Sequence, residues 1–427
     1  MARDAYLPQT PKDLKAMSKH HNGIQVISQL GAEAVSPASK WNSRHLVAYR
    51  LLTHPQDDAF LEVFKADHDA QCPLCTDDQP YAQKIDHTST NRLIGQNPRG
   101  LCEKSESELM RLPDGFFWVA LARAANRPGP VNGTTARPNR NRKQVDHGPY
   151  VSSTSEILDS SPPTQPSSSS SFGTDSSNID VDEDEHGERG SKPEEVTVHL
   201  ITSFLQYALS LCLLQRSTSR TTPELEVRAR IERIATTASI AGNSVAAEDN
   251  GGICLMRQSQ PGWTMKHAYM ALVEAKRAFR YIQYHKNSDS CVPVVSRDNL
   301  AQYLGEAVIT WKGNSELLQN DIFLIAATST FVQFIHFRFG RDYKEYLNIE
   351  DGESQVEFVN SDGKDAFVYM RSTRFFNLQS AEGRQIALCH VLALLRWHDA
   401  RGIRHMAAAN EEGDERVLDE NFMDVSD

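Results

Sequence analysis

The chain has 427 residues, enough for two or three domains of ~100–200 residues and for a sizeable buried core. Lys plus Arg number 45 and Asp plus Glu 56, a formal charge of −11 that disfavours wholesale adhesion to polyanions and requires any nucleic-acid contact to come from a local basic patch. Hydrophobic residues at 39% fall below the ~45–50% of an ordinary globular chain, so part of the sequence is expected not to fold, and seven scattered cysteines exclude a disulfide scaffold.

The opening MARDAYLPQTPKDLKAM has no apolar h-region, and the most apolar run, 204–214, is far short of the ~20 residues a bilayer span requires. No membrane partner is expected, and the compartment reads as intracellular, nuclear or cytoplasmic. Residues 1–126 read as a helical, loop-rich N-terminal region. Helices are expected over 43–52, 58–65 and 105–125, the last divided by Leu112-Pro113-Asp114-Gly115. This region holds the one C-x-x-C of the chain, Cys72 to Cys75. A structural zinc needs four ligands, and the neighbouring candidates His68, His87 and Cys102 stand at no standard spacing, so ordinary thiols are expected rather than zinc.

Residues 127–193 differ from everything around them: a Pro, Asn and Arg stretch, a Ser and Pro tract, then the acidic run 182–185. Such a composition cannot offset an ordering entropy of roughly 1–2 kcal/mol per residue, and a disordered linker is expected. Its short basic cluster, Arg137, Arg140, Arg142 and Lys143, suits a nuclear address, a nucleic-acid arm, or simply a solvated linker. Residues 410–427 hold eight acids and one arginine and read as an acidic disordered tail.

The block 194–409 opens with an apolar-periodic helix over 196–214, with Pro193 near its first turn. A second helix is expected over 223–238. Strands follow at 253–256, 269–274, 322–327 and 331–339, with a helix over 299–311 between the second and third. In 331–339, Phe331, Ile335, Phe337 and Phe339 share one face, and Val332, Phe334, His336 and Arg338 the other. A hairpin is expected to join 356–359 to 366–370 through Ser361-Asp-Gly, and 381–398 closes the block as a helix. Strands interrupted by helices define a mixed α/β (α+β) domain, its sheet flanked by helices.

Within this block, Glu274 and Lys276 stand two apart at the end of an apolar run, which on a strand projects both side chains from one face. Upstream, Glu248-Asp249-Asn-Gly-Gly leads into Ile253; downstream, Gln302 and Glu306 lie four apart on one helical face. The same residues also admit a helix: Ala268, Ala271, Leu272, Ala275, Ala278, Phe279 and Ile282 follow helical spacing, and Glu274 and Lys276 would then lie about 200° apart. Asp249 before Asn-Gly-Gly also reads as an ordinary turn residue.

The run 225–347, with EDNGGI, ALVEAK and AQYLGEA ahead of two adjacent apolar strands, resembles the PD-(D/E)xK nuclease-like superfamily, and more closely fungal proteins that carry such a domain. The likeness covers about a third of the chain and lacks the Pro-Asp. It implies a restriction-endonuclease-like mixed sheet in which Asp249 and Glu274 bind Mg²⁺, Lys276 orients or activates the attacking water, and Gln302 assists from its helix. The implied activity is hydrolysis of phosphodiester bonds in nucleic acid. Hard carboxylate oxygens suit Mg²⁺, which lowers the pKa of bound water, and lysine supplies a point charge beside the nucleophile.

From Lys266 to Lys286 five cations meet one acid, interleaved with Tyr269, Phe279, Tyr281 and Tyr284. Lys266, Arg277, Arg280 and Lys286 are therefore candidates for a nucleic-acid-facing surface, the alternative being a solvated basic face. The rival to a nuclease is a non-catalytic interaction or nucleic-acid-binding scaffold on the same fold. The sequence contains no P-loop, G-x-G-x-x-G, H-E-x-x-H or G-x-S-x-G.

Overall fold

A computed structural model describes residues 8–57, 59–72, 74–75, 85–96, 100, 103–125, 194–212, 225–259, 262–276, 281–285 and 290–401, with side chains for all but 71 and 281–294. In chain order the regular elements are α1 (Pro11–His20), α2 (Ser43–Ala48), β1 (Leu51–Thr53), α3 (Glu62–Gln71), α4 (His87–Gly95), α5 (Glu106–Leu109), α6 (Gly115–Ala125) and α7 (Glu194–Ser210). They continue with β2 (Leu225–Arg230), β3 (Ala235–Ile240), β4 (Asn243–Glu248), β5 (Gly252–Ser259), β6 (Gly262–Lys276), β7 (Tyr281–His285), β8 (Ser290–Val294) and α8 (Arg297–Gly313). Last come β9 (Asp321–Thr328), β10 (Phe331–Phe339), α9 (Tyr343–Asn348), α10 (Gly352–Asn360), β11 (Val368–Ser372), β12 (Phe376–Asn377) and α11 (Ala381–Ala400).

The main sheet runs β1-β11-β10-β9-β6-β5-β2, with β12 paired to β10. β1 pairs with β11, and β6 with β9, in parallel; the other neighbours are antiparallel. Parallel pairing of β6 and β9 demands a crossover, which includes α8. Ser296 caps α8 by accepting from the Asn299 amide. Alternation sorts the strands onto two cores: Leu272, Leu324, Ile335 and Phe337 face α8 and the first part of the chain, whereas Val273, Ile325 and Phe334 face α7 and α11. The expected two faces of 331–339 are thus both buried, giving helices on each side of the sheet.

Several expectations are corrected. The helix expected over 43–52 ends at Ala48, and Leu51–Thr53 becomes an edge strand on β11. The described part of 223–238 is not a helix: from Leu225 on, Leu225, Val227 and Ala229 alternate with charged residues, and β2 and β3 result. β3 and β4 turn through Ala241 and Gly242, both at positive φ (48° and 73°), as a two-residue primed hairpin turn requires. The hairpin expected around Ser361 is absent, because Asp351 accepts from the Ser354 amide and starts α10. The segment over 268–282 is a strand through Lys276, excluding the helical alternative there. The expected linker 127–193 and tail 410–427 lie outside the described residues.

The described parts of 1–126 and 194–409 are not separate bodies; they belong to one compact unit. Tyr343 and Tyr346 donate to the Tyr49 and Ala48 carbonyls, and the Arg50 guanidinium donates to Ala366 O. On the other side Arg384, fully buried in α11, donates to five carbonyls, of Leu93, Ile94, Gln96, Leu378 and Gln379. Three of these lie at the C-terminal end of α4, where a cation also opposes the helix dipole. An isolated 194–409 fragment would expose the β11 edge and the apolar surfaces of α7, α8 and α11 that the N-terminal elements cover. It should aggregate on size-exclusion chromatography where a 1–409 chain elutes as a discrete species; a discrete, cooperatively unfolding 194–409 would contradict this packing.

Candidate functional site

The Glu274 cluster sits at the end of β6, where the strand passes α8. Glu274 and Lys276, two apart, leave the sheet on the same face as Leu272, and Gln302 and Glu306, one turn apart, face them from α8. Lys276 Nζ lies 2.6 Å from Glu274 Oε1 and donates to Gln302 Oε1 at 2.7 Å. Gln302 Nε2 donates to Glu274 Oε1 at 2.7 Å and to Glu306 Oε1 at 2.9 Å. One amide therefore bridges two buried carboxyl groups and one ammonium.

The second oxygens of both acids, Glu274 Oε2 and Glu306 Oε2, are buried and receive no donor from other residues, and the two carboxyl groups hydrogen-bond to each other, which favours the protonated form of Glu306. Burial raises the Glu274 carboxyl to about 7, against the opposing pull of Lys276, with Glu194 adding to the rise. Burial, then the nearby Glu274, raises Glu306 well above the ordinary value. Two acids in one dry pocket cannot both ionise cheaply.

Asp249 does not join them. Its carboxylate takes two hydrogen bonds from Arg230, at 2.9 and 2.7 Å, and one each from the amides of Ile234 and Gly251. Both side chains are buried, so the expected metal ligand is committed to a structural ion pair. Its neighbour Asn250 reaches the site instead: Oδ1 accepts from the Ala275 amide at 2.9 Å and Nδ2 donates to Glu194 Oε1 at 3.3 Å. The two glycines that follow let this loop approach β2 and β6. Gly251 has φ +128° and a Cβ there would lie 2.6 Å from Arg230 O; at Gly252 a Cβ would lie 2.4 Å from Ala271 O.

The structure therefore brings together Glu274, Lys276 and Gln302, adds Glu306, and approaches them with Asn250 and Glu194. Glu194, in the first turn of α7, had no local signal beyond following Pro193. Lys266 is exposed on β6, while Arg277, Arg280 and Lys286 lie outside the described residues. His68, Cys72, Cys75 and Cys389 form a second cluster, the one group of His, Cys, Asp and Glu among the described residues whose ligand atoms converge as for a metal ion. This His/Cys₃ set could hold a metal such as zinc, which the sequence spacing did not suggest: Cys389 joins it, His87 does not, and Cys102 lies outside the described residues.

Raised carboxyl values have a consequence for stability. Between the ordinary glutamate value of 4.5 and about 7, folded Glu274 holds a proton that the unfolded chain has released, so rising pH favours unfolding through that window. Glu306 extends the loss higher. His390 and His398, lowered to about 3 by burial, act oppositely: their contribution grows as pH rises from about 3 to about 6.5 and is level above that. The difference between wild type and Glu306→Gln cancels the histidines. In EDTA, denaturation midpoints from pH 5 to 8 should fall less steeply in Glu306→Gln; parallel curves would contradict neutral burial of Glu306.

The chain is a mixed α/β protein whose sheet lies between helices and carries a Glu-Lys-Gln-Glu cluster with both glutamates buried. No family model matches the chain, and no curated protein matches it. Among the described residues no helix is long and apolar enough to cross a membrane.

Proposed function

We propose that the chain is a metal-dependent nuclease-like protein of the PD-(D/E)xK type, hydrolysing phosphodiester bonds in nucleic acid. The observation that carries this reading is the joining of Glu274, Lys276 and Gln302 in one hydrogen-bonded cluster on adjacent elements. β5, β6, β9 and β10 occupy adjacent sheet positions, with α8 between β6 and β9 in the chain after the inserted β7–β8 hairpin, an order that supports it further.

A Mg²⁺ site is consistent with the Glu274 carboxyl group, a hard-oxygen donor held by Lys276, Gln302 and Glu306, and inconsistent with Asp249, which Arg230 holds. Glu274 would hold the ion, with Glu194 the nearest further acid on α7; Mg²⁺ keeps several waters and needs only one or two carboxylates. When bound, it would supply a water of lowered pKa and charge stabilisation on the phosphate. Lys276, steadied by Glu274 and Gln302, places a positive charge beside the attacking water. Glu306, held neutral, keeps Gln302 oriented without adding a second negative charge. Lys266, Arg277, Arg280 and Lys286 would contact phosphates along the strand.

A second reading, a scaffold that binds nucleic acid or protein without cutting, is favoured by one observation: the acid expected as a ligand, Asp249, is consumed by Arg230, and neutral Asn250 takes its place toward the site. Incubating the full chain with labelled single- and double-stranded DNA and RNA in Mg²⁺, Mn²⁺ or EDTA separates the two. Cleavage lost in EDTA supports the nuclease. Salt-sensitive binding with no cleavage under any condition supports the scaffold.

A further inference from the structure

The second cluster is built from both ends of the folded unit. His68 and Cys72 stand one turn apart at the end of α3, and the Cys72 amide closes that helix on the His68 carbonyl. The chain then turns back, with the Cys75 amide donating to Cys72 O at 3.2 Å. Both thiols meet Cys389, in the middle of α11 and 314 residues beyond Cys75. The Sγ atoms of Cys72 and Cys75 lie 3.7 and 3.8 Å from Cys389 Sγ, and the four ligand atoms all fall within 4.8 Å of one another.

From this geometry we propose that His68, Cys72, Cys75 and Cys389 bind a structural zinc ion that clips the N-terminal segment to α11. Four donors at about 2.3 Å for sulfur and 2.0–2.1 Å for nitrogen make a tetrahedron whose S···S edges are about 3.75 Å, matching the observed spacing. A disulfide needs about 2.05 Å, far shorter than the 3.7 and 3.8 Å that separate the Cys72 and Cys75 sulfurs from Cys389 Sγ. Three thiolates and an imidazole select a soft or borderline ion, not Mg²⁺, so this site is distinct from the Glu274 cluster in chemistry as well as in residues.

The surroundings suit a closed site. Asp69 Oδ1 lies 3.2 Å from His68 Nδ1, a contact that fixes the ring and leaves Nε2 as the free nitrogen. Phe60 packs on the His68 ring at 4.1 Å and on His390 at 4.0 Å, and the Leu61 amide donates to His390, so α3 is already docked where the ion would sit. Arg396, which bonds Asp67 at 2.6 Å, supplies positive charge beside Cys75 against the surplus of the thiolates. All four coordination positions belong to the protein, which makes the ion structural rather than catalytic. Cys75, His68 and Cys389 nevertheless wall a cleft of about 470 Å³, through which a chelator can reach the ion.

The full chain, purified reduced from zinc-supplemented culture, should carry about one zinc per chain by mass spectrometry of the metal, and Cys389→Ser less than about one-fifth of that. Cys254→Ser, at a buried thiol elsewhere, should retain it. Cys75→Ser, at an exposed position, provides the same test if Cys389→Ser fails to fold. Co²⁺ taken up by apo-protein should give the thiolate charge-transfer and tetrahedral ligand-field bands of an S₃N site. A reduced, folded chain that holds no zinc and gives no such Co²⁺ spectrum would overturn the proposal. So would a Cys72–Cys75 disulfide in peptide mapping under non-reducing conditions, or undiminished zinc in both ligand variants.

Discussion

Asp249→Asn is expected to destabilise the folded chain by about 3–5 kcal/mol, because it leaves Arg230 buried with its charge uncompensated. Arg230 has no exposed surface on its side chain and Asp249 only 3%, so water cannot replace the lost partner. Asp249 also accepts from the Ile234 and Gly251 amides, which hold β3 and the glycine turn against the end of β2. Denaturant unfolding without divalent ions measures the loss. The double variant Arg230→Met/Asp249→Leu should recover part of it, since a buried pair replaced by apolar groups is often tolerated. If Asp249 were a metal ligand instead, stability would hold and only metal-dependent activity would fall.

The second large effect concerns activity. Under the nuclease reading, Glu274→Gln removes the anionic ligand yet keeps the shape, and metal-dependent cleavage should be lost altogether. Lys276→Ala should leave metal affinity in place and slow the chemical step by about 10²–10³-fold, the scale of one preorganised charge at a reacting group. A titration with Mn²⁺ alongside single-turnover cleavage separates the two. Loss of Mn²⁺ binding in Lys276→Ala, or its retention in Glu274→Gln, would reverse the assigned roles.

Legibility in the sequence followed the range of the interaction. Helices α6, α7, α8 and α11 are marked by local apolar periods, β9 by a short continuous apolar run and β10 by period-two faces, so their positions could be read directly. Glu274, Lys276 and Gln302 are joined into a group by the family resemblance, since local pattern alone leaves a strand and a helix both open over 268–282. Partners distant in sequence could not be read. Arg230 lies 19 residues before Asp249, in a segment that local propensity suggested was helical, so a turn aspartate and a metal ligand were the visible choices. Cys389 completes the Cys72-x-x-Cys75 set only because α11 packs on α3, and nothing in the sequence of a single apolar helix announces that. β1 has three residues and no strand signature of its own; pairing with β11 defines it.

Cleavage of nucleic acid by the Glu274 cluster, as proposed, is decided by comparing full-length wild type with Glu274→Gln, prepared identically, on labelled single- and double-stranded substrates in Mg²⁺. The nuclease reading predicts cleavage by wild type, none by Glu274→Gln, and matching circular dichroism for the two. Equal cleavage by both would place the activity elsewhere or in a contaminant and contradict the site.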